Sequence, residues 1–135
     1  SYEAYLNLGS LLLDQYRLDE AIENTNKAIS LQPKSALGYA NLGLINYSKG
    51  NNISASVFIE KALKLDSNLA FAHNINGSIL TNLYKYKEAE IAIRKAININ
   101  PGFVDAFSNL SKVFSESGQN YLDFVYYLRT YGQKI

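Results

Sequence analysis

Side-chain catalysis needs groups with usable pKa values held within reach of one another, and this sequence is poor in them. It has one histidine, His73, and no cysteine. That removes thiolate nucleophiles, thiolate metal sites and disulfides. His73 lies in an apolar helical stretch and is expected to be structural, its ring packed between two helices. The carboxylates Asp19, Glu20, Glu23, Glu88 and Glu90 fall near helix starts, where the helix dipole favours them and water solvates them. Gly9, Gly43 and Gly77 lie inside helical stretches and form no phosphate-cradling loop. No catalytic residue, metal ligand or cofactor is expected, and the chain on its own is expected not to be an enzyme. What remains is amide chemistry. One carboxamide offers two donors and an acceptor, so a row of them can satisfy peptide N–H and C=O groups whatever their side chains. Asn7 and Asn41 stand thirty-four residues apart, and Asn109 falls two intervals further on, with Ile75 in the gap.

The elements that carry these amides recur on the same interval. Gly9, Gly43 and Gly77 are followed in frame by Ser111. Ala21, Ala55 and Ala89 repeat, as do Ala28, Ala62 and Ala96, and then Pro33, Ser67 and Pro101. Self-similarity at a fixed period of this length marks a repeat array. In residues 2–35, Tyr5, Leu8, Leu12 and Tyr16 are spaced as on one helical face. Around Gln15-Tyr16-Arg17 the pattern breaks, a second amphipathic stretch follows over Leu18–Leu31, and Pro33 stops it because proline has no N–H to donate. In residues 36–69, Tyr39, Leu42, Asn46 and Tyr47 lie on the first helix. Gly50 is placed for a left-handed C-terminal residue and Asn51 for an N-cap. In residues 70–103 the helices are expected over about Ala70–Asn82 and Tyr86–Ile99. A glycine mid-helix costs about 0.5–1 kcal/mol relative to alanine, so its recurrence implies close backbone packing against the alanine helix.

Length and composition agree with one packed domain. The chain has 135 residues, 47% hydrophobic and 19% charged, enough to bury a core. Net charge is +1, running −2, +1, +2 and 0 through the four repeats. That gives no basic face for nucleic acid and no polybasic membrane anchor. No apolar run approaches the roughly 18 residues of a membrane span. Ser1 is the first residue and methionine is absent, as in an excised segment or a chain whose initiator was removed. The expected compartment is cytoplasmic.

The pattern resembles the tetratricopeptide repeat family, whose unit is a 34-residue helix–turn–helix. Repeat one supplies Tyr5, Leu8, Gly9, Leu12, Ala21, Thr25, Ala28 and Pro33 to that motif. Repeat two supplies Tyr39, Leu42, Gly43, Asn46, Ala55, Ile59, Ala62 and Ser67. Repeat three supplies His73, Asn76, Gly77, Leu80, Ala89, Ile93, Ala96 and Pro101. Repeat four, residues 104–135, begins with Phe107, Leu110, Ser111 and Phe114 and then departs: Asp123 and Thr130 stand where the motif wants alanine. A carboxylate in a tight helix contact lacks a partner, so the last helix, about Tyr121–Tyr131, is expected to swing away. Its aromatic residues are expected either to cover repeat three with one face, or to contact another chain or a missing downstream domain. The resemblance implies an all-α, right-handed superhelical solenoid of eight helices in antiparallel pairs.

It also implies that the first helices line a concave groove. The partner-binding residues expected there are Leu6, Asn7, Ser10, Leu37, Asn41, Leu44, Tyr47, Phe71, Asn74, Ser78 and Asn109. Some family members clamp a partner's C-terminal carboxylate with Lys, Arg and Asn on successive first helices. Asn41 matches that asparagine, but Leu6, Ser10, Phe71 and Ile75 fill the other places, so a carboxylate there would meet no cation. The asparagines instead resemble the ladder of the repeat array of O-linked N-acetylglucosamine transferase, whose amides bind an extended backbone. A drift toward asparagine, with fifteen in the chain, is the competing explanation. The expected function is a protein-interaction module that binds an extended peptide or a partner helix, without nucleic acid and without membrane insertion. The alternatives are a substrate-recruiting or scaffolding fragment of a larger enzyme such as a glycosyltransferase or sulfotransferase, and homo-oligomerisation through the aromatic C-terminal helix.

Overall fold

The computed structural model describes residues 1–118 and 121–132. Among them are eight α-helices and no strand: α1 (Tyr2–Asp14), α2 (Leu18–Leu31), α3 (Ala36–Ser48), α4 (Asn52–Leu65), α5 (Ala70–Asn82), α6 (Tyr86–Ile99), α7 (Val104–Glu116) and α8 (Tyr121–Gly132). Helices pair within each repeat and stack from repeat to repeat, and the first helices α1, α3, α5 and α7 also touch in sequence. The fold is an all-α solenoid.

The ends of the helices explain the period. Four turns, at Tyr16, Gly50, Tyr84 and Gly118, put one residue in the left-handed region, with φ of 58°, 84°, 61° and 76°. This closes the first helix: Arg17 N donates to Leu12 O, Asn51 N to Asn46 O and Lys85 N to Leu80 O, at 2.8–2.9 Å. Tyr16 therefore leaves the helical face on which its spacing placed it. Left-handed geometry costs a non-glycine residue about 1–2 kcal/mol. At Tyr16 a hydroxyl bond to Ser48 O, 3.2 Å, opposes that cost. Ser35 caps α3, its Oγ accepting from Gly38 N at 2.9 Å. Asn51 holds the N-cap position of α4 but makes no side-chain cap bond. After α4 and α6, Asp66 and Asn100 turn the chain by accepting from Asn68 N and Gly102 N, as Asx residues do.

Packing inside a repeat rests on the small residues. Ala21, Ala55 and Ala89 are fully buried, as are Ala28, Ala62 and Ala96. A Cβ added to Gly9, Gly43 or Gly77 would lie 3.4 Å from the carbonyl oxygen of Ala21, Ala55 or Ala89, and closer still to the side chains of Thr25, Ile59 or Ile93. The backbones meet where the recurring glycines and alanines lie. Between repeats the burial is aliphatic: Ile45, Ile79 and Val113 on the first helices are at most 1% exposed.

The last repeat differs. Among the described residues, α8 touches α7 less extensively than α2, α4 and α6 touch their partners. Asp123 and Thr130 are exposed. One face of α8 covers the core: Phe124 meets Phe114 with ring centroids 5.6 Å apart. The Arg94 guanidinium of α6 lies 4.4 Å from the Tyr127 ring centroid. The helix thus caps repeat three with one face, while Leu122 and Tyr126 point outward.

Candidate functional site

The side-by-side first helices form a pocket of about 300 Å³ between α3, α5 and α7. Six of the expected binding residues meet there: Leu44, Tyr47, Phe71, Asn74, Ser78 and Asn109. Leu44 and Phe71 are half-buried and supply apolar wall, backed by Ile75, which is 3% exposed and belongs to the core. Asp105 and Ser108 of α7 complete the rim. Phe103, which precedes α7, also lines the pocket, and the reading by helix positions overlooked it. The signal was present in the frame, because Ser35, Leu69 and Phe103 occupy one recurring place at the junction into each next first helix.

The amides are not a uniform row. Asn109 Nδ2 donates to Asn74 Oδ1 at 2.9 Å and to Ser78 Oγ at 3.1 Å, so α7 is tied to α5 through the groove floor. These bonds leave Asn109 Oδ1 as an acceptor and Asn74 Nδ2 as a donor without a partner among the described residues. Asn41 is 8% exposed, and its Nδ2 donates to Ser10 Oγ at 3.4 Å. Asn7 is exposed, Leu6 is 7% exposed and Leu37 40%. Those five, on α1 and α3, lie outside the pocket lining.

No lysine or arginine lines the pocket. Lys112 borders a smaller recess that shares Tyr47, Ser78 and Asn109 with the pocket. It sits 3.9 Å from the Glu116 carboxylate. The carboxylates singled out in the sequence lie elsewhere: Glu20 pairs with Arg17, and Glu90 with Arg94. The Lys49 ammonium beside Asp19, through a hydrogen bond and then its charge, holds that carboxyl below its ordinary 3.8. His73 Nε2 sits 2.8 Å from the Ser67 carbonyl oxygen and braces the α4–α5 connection. Among the described residues no group of three or more His, Asp or Glu could hold a metal ion, and no helix is long and apolar enough to cross a membrane.

Known proteins share this architecture. A family model described as TPR repeat matches residues 9–50, and one described as Tetratricopeptide repeat matches residues 36–69 and 73–103. Mouse (Mus musculus) protein O-mannosyl-transferase TMTC1 is 38% identical over 63 residues, 47% of this chain but 7% of that protein. The chain thus spans a small part of that relative's length. The crystal structure of MamA superimposes with a TM-score of 0.78 at 26% identity, covering 99% of this chain and 78% of that one. The first TPR of Spaghetti (RPAP3), bound to the HSP90 peptide SRMEEVD, gives 0.76 at 19% identity, covering 87% and 94%. The matched stretches follow one another through the first three repeats, in step with the contacts between their glycines and alanines: the chain belongs to the tetratricopeptide repeat family.

Proposed function

We propose that the concave face of α3, α5 and α7 binds a segment of another protein, as an extended peptide or a partner helix. The observation that carries this reading is the pocket itself, where the apolar walls of Leu44 and Phe71 meet the free amide groups of Asn74 and Asn109. An apolar anchor from the partner fills the space between the walls, as buried anchors do at interaction hot spots. The amide donor and acceptor then pair with the partner's backbone at that point, where unpaired peptide groups would be costly. Asn7, Asn41, Ser10, Leu6 and Leu37 extend the same face toward α1 for a longer ligand.

The groove is unsuited to an acidic tail of the kind carried by the RPAP3 neighbour's peptide. Phe71 and Ile75 occupy the places where a cation would hold a carboxylate, and Asp105 adds a negative charge at the rim. The peptide SRMEEVD is therefore expected to give no measurable calorimetric signal with this protein. Leu44→Glu with Phe71→Glu tests the site directly. Both side chains are only half-buried, so the helical circular dichroism should survive while capture of a partner, identified by mass spectrometry from the wild-type array, is lost. Equal capture by wild type and double variant would sink the groove reading. The similarity to TMTC1 falls on repeat sequence amounting to 7% of that protein, and it supports the repeat rather than a transfer reaction.

A further inference from the structure

The pocket between α3, α5 and α7 has a chemical bias that its aliphatic walls alone do not give it. Three aromatic side chains line it, Tyr47, Phe71 and Phe103, and the charge in the lining is that of Asp105. Elsewhere the molecule sets its own cations over its rings: Lys27 over Tyr5, Lys61 over Tyr39 and Arg94 over Tyr127. Among the described residues, no cation of the chain lies over a ring of the pocket or pairs with Asp105. Lys112, the one lysine or arginine on the first helices, pairs with Glu116. Against it those helices carry Glu3, Asp14, Asp105 and Glu116, so they are acidic in a chain whose net charge is +1. Asp105 and Asn109 are four residues apart and share a face of α7. Both hydrogen bonds of Asn109 use Nδ2, which leaves Oδ1 to accept.

We propose, resting on the groove reading of the function, that the anchor filling this pocket is an arginine of an extended partner segment, with Asp105 as its counter-ion. The aliphatic stem packs along Leu44 and Phe71, as stems of long cationic side chains do on apolar surface. The planar guanidinium stacks on an aromatic face. Its fork donates to the Asp105 carboxylate, and a remaining N–H donates to Asn109 Oδ1. A leucine would fill the same walls but leave the carboxylate and the amide oxygen at the mouth without a donor. A lysine would bring its charge as a compact, strongly hydrated point, without the plane that stacks on a ring. In SRMEEVD the arginine comes with three acids, which these acidic helices repel.

The test selects short random peptides, displayed on phage, on the full chain and counter-screens each hit on Leu44→Glu/Phe71→Glu. Hits that lose binding to that variant should share an arginine. In calorimetry with such a peptide, replacing the arginine by citrulline keeps the stem and the plane but removes the charge. It should weaken binding about tenfold. Asp105→Asn, at an exposed position that leaves the fold intact, should weaken it about threefold or more, the carboxylate being at the rim. Combined, the two changes should lose less than the product of their separate effects, because they remove one shared contact. Groove-dependent hits without arginine, equal binding of a lysine or citrulline peptide, or no effect of Asp105→Asn would overturn the inference and leave the groove reading standing. Hits indifferent to Leu44→Glu/Phe71→Glu, or no hits at all, would overturn both.

Discussion

At Gly43 there is no room for one more carbon. An added Cβ would lie 2.5 Å from Ile59 Cδ1 and 2.7 Å from its Cγ1, and Ile59 is 1% exposed and cannot swing into solvent. Gly43→Ala should therefore destabilise by about 1–3 kcal/mol, the range for overpacking. Trimming the neighbour in Gly43→Ala/Ile59→Val should restore part of that loss, as read by urea unfolding. The equivalent contact in repeat one is as close, but its neighbour is polar. Thr25 fills the place of Ile59 and Ile93, is fully buried, and its Oγ1 has no hydrogen-bond partner among the described residues. A buried hydroxyl without a partner is a cost. Thr25→Val, nearly the same shape, should raise stability by about 1 kcal/mol; a loss of that size would mean the hydroxyl has a partner. Polar residues in this frame thus differ sharply in effect, according to whether a neighbour uses them.

The helices differ in how firmly they are held. α2 to α7 each lie between neighbours, whereas α8 has the stack on one side only. Phe124 is half-buried against the Phe114 end of the core, so Phe124→Ala should cost about 1–2 kcal/mol, less than a fully buried phenylalanine. Amide exchange should be faster in α8 than in α3 to α6, because local opening there releases few contacts. An exchange map with α8 as slow as α5 would contradict this. Between the start of α2 and the end of α3, Lys49 Nζ lies 2.8 Å from Asp19 Oδ1. The folded carboxyl is depressed below 3.8, so the stabilisation from this pair is present above the unfolded pKa and fades as pH falls through the folded one. Lys49→Met should return the Asp19 titration, followed by carboxyl NMR, to near 3.8 and flatten stability against pH in that acidic window. The pair is solvent-exposed, so its effect is small.

At the scale of the whole molecule, the stack makes a surface that no single helix has, the groove across α3, α5 and α7. It combines residues about thirty-four apart, such as Leu44 with Ser78 and Asn74 with Asn109. Helix positions were legible beforehand because the repeated frame combines local signals. Proline after Leu31, the glycine and alanine places, and the left-handed turn at Gly50 all bear on nearby backbone. The stretches Leu18–Leu31, Ala70–Asn82 and Tyr86–Ile99 agree with α2, α5 and α6. The turn after α1 was legible as a break around Gln15-Tyr16-Arg17, but its left-handed residue was not, since a tyrosine does not announce one, though Gly50 and Gly118 in the same frame do. Most of the pocket lining was visible as helix positions, but Phe103 lay in a connection. The hydrogen bonds of Asn109 to Asn74 and Ser78 depend on where α7 settles against α5. By itself the sequence determined the repeat, the eight helices and the backbone contacts between glycine and alanine, because these follow from periodicity and short-range sterics. Only the tertiary structure decided which apolar places are covered and which amide atoms stay free. Leu11 and Ile79 are equivalent in pattern, and one is exposed and the other buried solely because a neighbouring helix pair is present beside Ile79.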